Sequence, residues 1–130
     1  MGKTPLLFAA AFFFICTLCF ASEAEKISAA TILGRWESAE ERGVCYITYR
    51  SEGIFYGRIE YKTEGEYWFF QGKWRFENGS IVYAYTKSSR DGVELAIEHK
   101  DRVLDETSGQ LTLLSEKGNR HVFVRSVRQK

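Results

Sequence analysis

The side chains of this 130-residue chain with chemical potential are few: His99, His121, Cys45 and a scatter of carboxylates. Glu98, His99 and Asp101 stand close enough to be read as metal ligands. Alternate residues of a strand point to opposite faces, so His99 and Asp101 share a face and Glu98 points away. A zinc site needs roughly three or four converging ligands, and no second histidine sits at ligand spacing. The expectation is an exposed polar strand edge without a metal. Glu40-Glu41 and Asp105-Glu106 fall in turn-like stretches and read as solvated pairs. Beyond residue 21 there is no G-x-S-x-G, no P-loop, no G-x-G-x-x-G and no C-x-x-C. The reading is of a protein without a catalytic constellation and without a cofactor.

The chain opens on Lys3 followed by an apolar run from Leu6 to Phe20, then polar Ser22, Glu23 and Glu25. A basic start, a short apolar stretch and small residues after it make a secretory signal peptide. The run is shorter than the roughly 20 residues of a membrane-spanning helix, so no membrane insertion is expected. Cleavage is expected after Ala21, or else after Ala24, leaving a lead-in over 22–30 and one domain over 31–128. Cys16 and Cys19 lie in the leader, and large Ile15 and Leu18 before them argue against a lipoprotein signal. Only Cys45 remains afterwards, so no internal disulfide can form and the exported domain must fold on packing alone. Cys45 reads as a small buried apolar residue.

Lys plus Arg is 18 and Asp plus Glu is 17. Lys3 is the one charge of the leader, so the remainder carries 17 of each sign, 18 less Lys3 against 17. A nucleic-acid binder would show a basic excess, and none is present. The expected compartment is the periplasm or the cell exterior.

Glycines mark the elements that position these residues. Polar clusters ending in Gly43, Gly53, Gly65, Gly79, Gly92, Gly109 and Gly118 punctuate apolar or alternating stretches. Glycine reaches the positive φ that tight hairpins need, and short strands at regular spacing indicate an all-β barrel or sandwich. The strands are expected near Thr31–Ser38, Val44–Tyr49, Ile54–Lys62, Glu66–Phe76, Ser80–Lys87, Val93–Val103, Gln110–Ser115 and Arg120–Arg125. Glu23–Ala30 has room for one short helical turn. Asn78-Gly79 is the strongest hairpin signal, which also accounts for its match to a glycosylation sequon, and it pairs Trp74 with Tyr83 and Gly72 with Tyr85. A turn at Ser51–Gly53 pairs Tyr49 with Phe55. A turn at Glu64-Gly65 pairs Tyr61 with Trp68 and sets Gly57 opposite Gly72. One face then collects Cys45, Ile47, Tyr49, Phe55, Ile59, Tyr61, Trp68, Phe70, Trp74, Tyr83 and Tyr85. Arg58, Glu60, Lys62, Gln71, Lys73 and Arg75 take the other. A one-residue slip would swap the faces, so the agreement of the hairpins supports the assignment.

Three segments resemble the small bacterial lipocalin-like family. Leu33-Gly34-Arg35-Trp36 resembles the family's first-strand G-x-W, and Phe70-Gln71-Gly72-Lys73-Trp74 a mid-barrel G-x-W. Leu111-Thr112-Leu113, Gly118 and Phe123-Val124-Arg125 resemble the closing L-x-L…G…F-x-R. The resemblance covers roughly residues 31–125. It implies an up-and-down antiparallel eight-stranded barrel in which Trp36 plugs one end and Arg125 packs on it as a structural cation–π latch.

An eight-stranded barrel holds its own side chains or one small ligand. With this many inward aromatics, each burying about 150–250 Å², the interior is expected to be largely filled, with at most a shallow pocket. Tyr49, Tyr61, Trp68, Phe70 and Tyr85 are the candidate ligand contacts at the Thr63–Gly65 end, with Trp36 closing the other. The function expected is non-catalytic binding of a small apolar molecule. The alternative is an interaction or inhibitor module for an envelope protein, acting through loops and an outer aromatic face of Tyr46, Tyr56, Arg58 and Phe69. Export and zero net charge speak against reading those aromatics as a nucleic-acid platform.

Overall fold

The structure, a computed structural model, describes residues 27–63, 65–107 and 109–126. The segment expected to be a leader, with Cys16 and Cys19, and the basic tail at Arg128 and Lys130 lie outside the described residues. A short helix α1 (Ala29–Ile32) leads into β1 (Gly34–Ala39), β2 (Gly43–Tyr49), β3 (Ile54–Tyr61) and β4 (Tyr67–Glu77). Then follow β5 (Ser80–Ser88), β6 (His99–Thr107), β7 (Gln110–Ser115) and β8 (Arg120–Arg125). The eight strands form a closed antiparallel up-and-down barrel in sequence order. Closure comes from β1 on β8, Trp36 opposite Arg125 and Glu37 opposite Val124. Beside them the Ser38 hydroxyl donates to the Val122 carbonyl at 2.8 Å. Among the described residues no helix is long and apolar enough to cross a membrane.

The Asn78-Gly79 hairpin has both residues at positive φ, 51° and 78°. It pairs Trp74 with Tyr83 and Gly72 with Tyr85, as the sequence predicts. The β2–β3 register, Tyr49 opposite Phe55, also agrees with expectation. The β3–β4 register differs by two residues: Ile59 stands opposite Trp68, Gly57 opposite Phe70 and Phe55 opposite Gly72. A two-residue shift preserves every side chain's face, so alternation could not detect it. Packing decides it. A Cβ on Gly57 would meet the Phe70 ring at 2.7 Å, and one on Gly72 would meet the Phe55 ring at 2.6 Å. Each glycine therefore houses an aromatic ring from the neighbouring strand rather than facing the other glycine.

Two element boundaries also differ. Thr31 and Ile32, expected to begin the first strand, instead belong to α1, whose Ala29 and Ala30 fall in the stretch expected to have room for a helical turn. Thr31 explains this, because its hydroxyl accepts the Ser28 N–H at 3.1 Å and donates to the Ser28 carbonyl at 2.8 Å, closing a turn. Val93, Leu95 and Ile97 alternate like a strand, yet β6 begins only at His99 and runs past Val103 to Thr107. Ala96 takes a φ of 65°, which breaks an extended run, and its N–H donates to the Tyr85 carbonyl at 2.8 Å. A bulge between Val103 and Asp105 accommodates the longer strand.

The core runs along the barrel axis, with Ile32, Trp36, Tyr49, Phe55, Phe70, Trp74, Ile81, Leu111, Leu113 and Phe123 buried.

Candidate functional site: an aromatic cavity at the open end

The end of the barrel holding α1 and the β4–β5 turn is sealed. Trp36 is 0% exposed, and its indole N–H donates to the Ile32 carbonyl at 2.7 Å. The Arg125 guanidinium lies 4.1 Å from the centre of the Trp36 ring. It donates from Nη1 to the Leu33 carbonyl at 2.6 Å and from Nη2 to the Thr31 carbonyl at 3.0 Å. Gly34 explains how the guanidinium reaches those carbonyls. Its φ is 111°, and a Cβ there would meet Arg125 Nη1 at 2.6 Å. Trp74 adds a second seal, its indole N–H donating to the Arg50 carbonyl at 2.9 Å and its ring 5.0 Å from Tyr49.

The opposite end is not filled. A cavity of about 140 Å³ enters the barrel there, between β2, β3, β4 and β5 on one side and β6, β7 and β8 on the other. Of the expected ligand contacts, Tyr49, Trp68, Phe70 and Tyr85 line this cavity. Tyr61 does not. It sits on the rim, where its hydroxyl accepts from Arg90 Nη1 at 2.9 Å. There it lines a broad hollow of about 720 Å³ between the loops, walled largely by charged and polar side chains. That hollow is the larger space, but ligand sites are concave and mostly apolar, which favours the small cavity.

Trp68, Phe70 and Tyr85 form three walls of the cavity, with ring centres 4.9, 5.8 and 5.8 Å apart. The Trp68 indole N–H donates to the Ser88 hydroxyl at 2.8 Å, which holds the ring in place. Tyr83 stands beside Tyr85, their ring centres 5.7 Å apart. Ile47, Phe55, Ile59, Leu113 and Phe123 add to the apolar lining.

The cavity also takes in polar groups that the sequence leads one to expect on an exposed strand edge or in a solvated turn. Asp101 lines the cavity together with Glu40 and His121, so it is no exposed strand edge. The inward parity of Asp101 with Val103 on β6 was the available signal. His121 Nδ1 lies 3.5 Å from a Glu40 carboxylate oxygen, and His99 Nδ1 lies 3.8 Å from Glu116. Burial pushes the Asp101 carboxyl up to about 6; Glu116 adds to this, while His121 and His99 oppose it. Burial, with a smaller contribution from Glu40, pushes the Cys45 thiol up to about 12. That thiol is protonated at neutral pH and is a poor nucleophile. Glu98 faces the outside and takes Arg75 at 2.8 Å. Among the described residues no group of His, Cys, Asp and Glu side chains converges to hold a metal ion.

The outer residues Tyr46, Tyr56, Arg58 and Phe69 also come together. They share a groove with Arg35 and Thr48 on the β2–β3–β4 face. Arg35 and Arg58 lie over the Tyr46 ring at 5.0 and 4.5 Å, and Arg58 pairs with Glu60 at 2.6 Å. Tyr56 is 43% and Phe69 53% exposed.

No protein-family model, no curated protein and no solved structure matches this chain.

Proposed function

We propose that this chain is an exported, non-catalytic barrel of the lipocalin-like kind that binds one small apolar molecule at its open end. The supporting observation is the cavity walled by Trp68, Phe70 and Tyr85, about 140 Å³ in volume and backed by a sealed far end. A cavity of about 150 Å³ has room for a benzene-sized molecule, and the aromatic part of this one offers such a molecule apolar walls. The size favours a single-ring ligand over a fatty acid. A binder fits better than a catalyst, because the one thiol lining the cavity is held protonated by burial.

The test is fluorescence titration with iodobenzene, a neutral single-ring quencher. Saturable quenching is expected in the wild type, and Trp68→Ala removes its saturable part. Cys45→Phe, which fills the cavity, removes the heat of binding in calorimetry. Saturable quenching that survives Trp68→Ala, or binding heat unchanged by Cys45→Phe, would place any ligand elsewhere and sink the reading.

A second reading rests on the outer groove. Exposed Tyr56 and Phe69 beside Arg58 supply the aromatic and arginine content typical of protein interfaces, which suits an envelope-protein partner.

A further inference from the structure

We propose that the ligand of the open-end cavity is a small organic amine, bound as its ammonium between the Asp101 carboxylate and the aromatic walls. This inference rests on the cavity reading above and names the chemistry of its occupant. Asp101 and Glu40 are the acidic groups in the lining, His121 is the one basic side chain there, and no Lys or Arg lines it. Arg90 lies over Trp68 and Tyr61, but it lines the loop hollow rather than the cavity. Glu40 already has His121 beside it. Among the described residues no Lys or Arg forms an ion pair with Asp101.

A carboxylate taken out of water without a cation is costly. The upward push on Asp101 records that cost, which neighbouring His121 and His99 only partly offset and Glu116 worsens. An ammonium supplies the missing charge. It also supplies N–H donors for a charge-assisted hydrogen bond.

The aromatic walls suit the same ligand. Cations bind over aromatic faces within about 6 Å of the ring centre. Trp68, Phe70, Tyr83 and Tyr85 present their rings around one small space. The ring or short chain of the amine would fill the apolar part, beside Phe55 and Leu113. A carboxylic acid would instead bring a second negative charge against Asp101, and a neutral hydrocarbon would leave that charge unpaired.

Calorimetric titration at pH 8 with benzylamine, toluene and benzoate tests this on the wild-type protein. Benzylamine is expected to bind about tenfold or more tighter than toluene, and benzoate not to bind. Asp101→Asn should remove the advantage of benzylamine, bringing its affinity to within about twofold of that for toluene in the same variant. Toluene binding equal to or tighter than benzylamine overturns the amine proposal and leaves the apolar cavity standing. Binding of none of the three overturns both. If Asp101→Asn fails to fold, the ranking of the three probes on the wild type still decides.

Discussion

At one end of the barrel a tryptophan is wrapped on every side; at the other a tryptophan forms the wall of a space. Trp36 has its indole N–H on the Ile32 carbonyl and the Arg125 guanidinium on its face, and that guanidinium also holds the carbonyls of Thr31 and Leu33. Every polar group there has a partner supplied by the chain. Trp68 is held through Ser88 but turns its ring toward a cavity that also receives Asp101, His121 and three tyrosines, Tyr49, Tyr83 and Tyr85. The sealed end is closed by contacts within the chain, while at the open end aromatic rings of the core border a cavity lined by Asp101, which forms no ion pair with a Lys or Arg among the described residues.

The contrast is tested most strongly by truncating the two tryptophans. Trp36→Ala removes a fully buried ring and is expected to cost about 3–5 kcal/mol. Trp68→Ala, at a half-buried position, should cost no more than about half of that. Denaturant melts of both variants decide. Equal losses would mean that the open end bears as much of the fold as the latch.

A smaller effect is expected from Asp101, and it depends on pH. Its carboxyl is raised from the ordinary 3.8 to about 6. Between those values the folded protein holds a proton that the unfolded chain has released. The contribution of Asp101 to folding is therefore fully present below about pH 4 and is lost as pH rises through about 6. Asp101→Asn cannot lose it. Above pH 6 that variant should be more stable than wild type by about 1–3 kcal/mol, with the gap closing toward pH 4. Melts across that range measure the difference. A wild type that gains stability with rising pH through Asp101 would show that the acid is paired by the fold, and the contrast between the ends would fail.

The smallest effect belongs to the outer groove. Phe69→Ser with Arg58→Glu should cost no more than about 1 kcal/mol, since Phe69 is exposed and Arg58 gives up only a partly exposed pairing with Glu60 and its contact with the Tyr46 ring. If the groove is an interface, the double variant also loses capture of its envelope partner while binding of iodobenzene is unchanged. A large loss of stability would make these aromatics part of the structural frame, and undiminished capture would remove the interaction reading.

What the chain alone determined was the side of the sheet on which each residue lies. Alternation along β2 to β5, the Asn78-Gly79 hairpin and the Ser51–Gly53 turn were enough to put Tyr49, Trp68, Phe70 and Tyr85 on one face and Tyr46, Tyr56, Arg58 and Phe69 on the other. An all-β chain of eight short strands was likewise legible from turn residues spaced along it; the choice of a closed barrel over a sandwich rested on the family resemblance, and the structure shows the barrel. Tertiary packing decided the rest. It set the β3–β4 register, because parity is blind to a shift of two and only the fit of Phe55 over Gly72 and Phe70 over Gly57 selects one alignment. It ended the apparent strand at Val93–Ile97 through a backbone break at Ala96. It moved Tyr61 from the interior to the rim. Above all it gathered Asp101 from β6, His121 from β8 and Glu40 from the β1–β2 turn into one cavity. These residues are distant in sequence, and no local pattern links them. Only closure of the barrel brings their strands around a common axis, where the interior either fills or stays open.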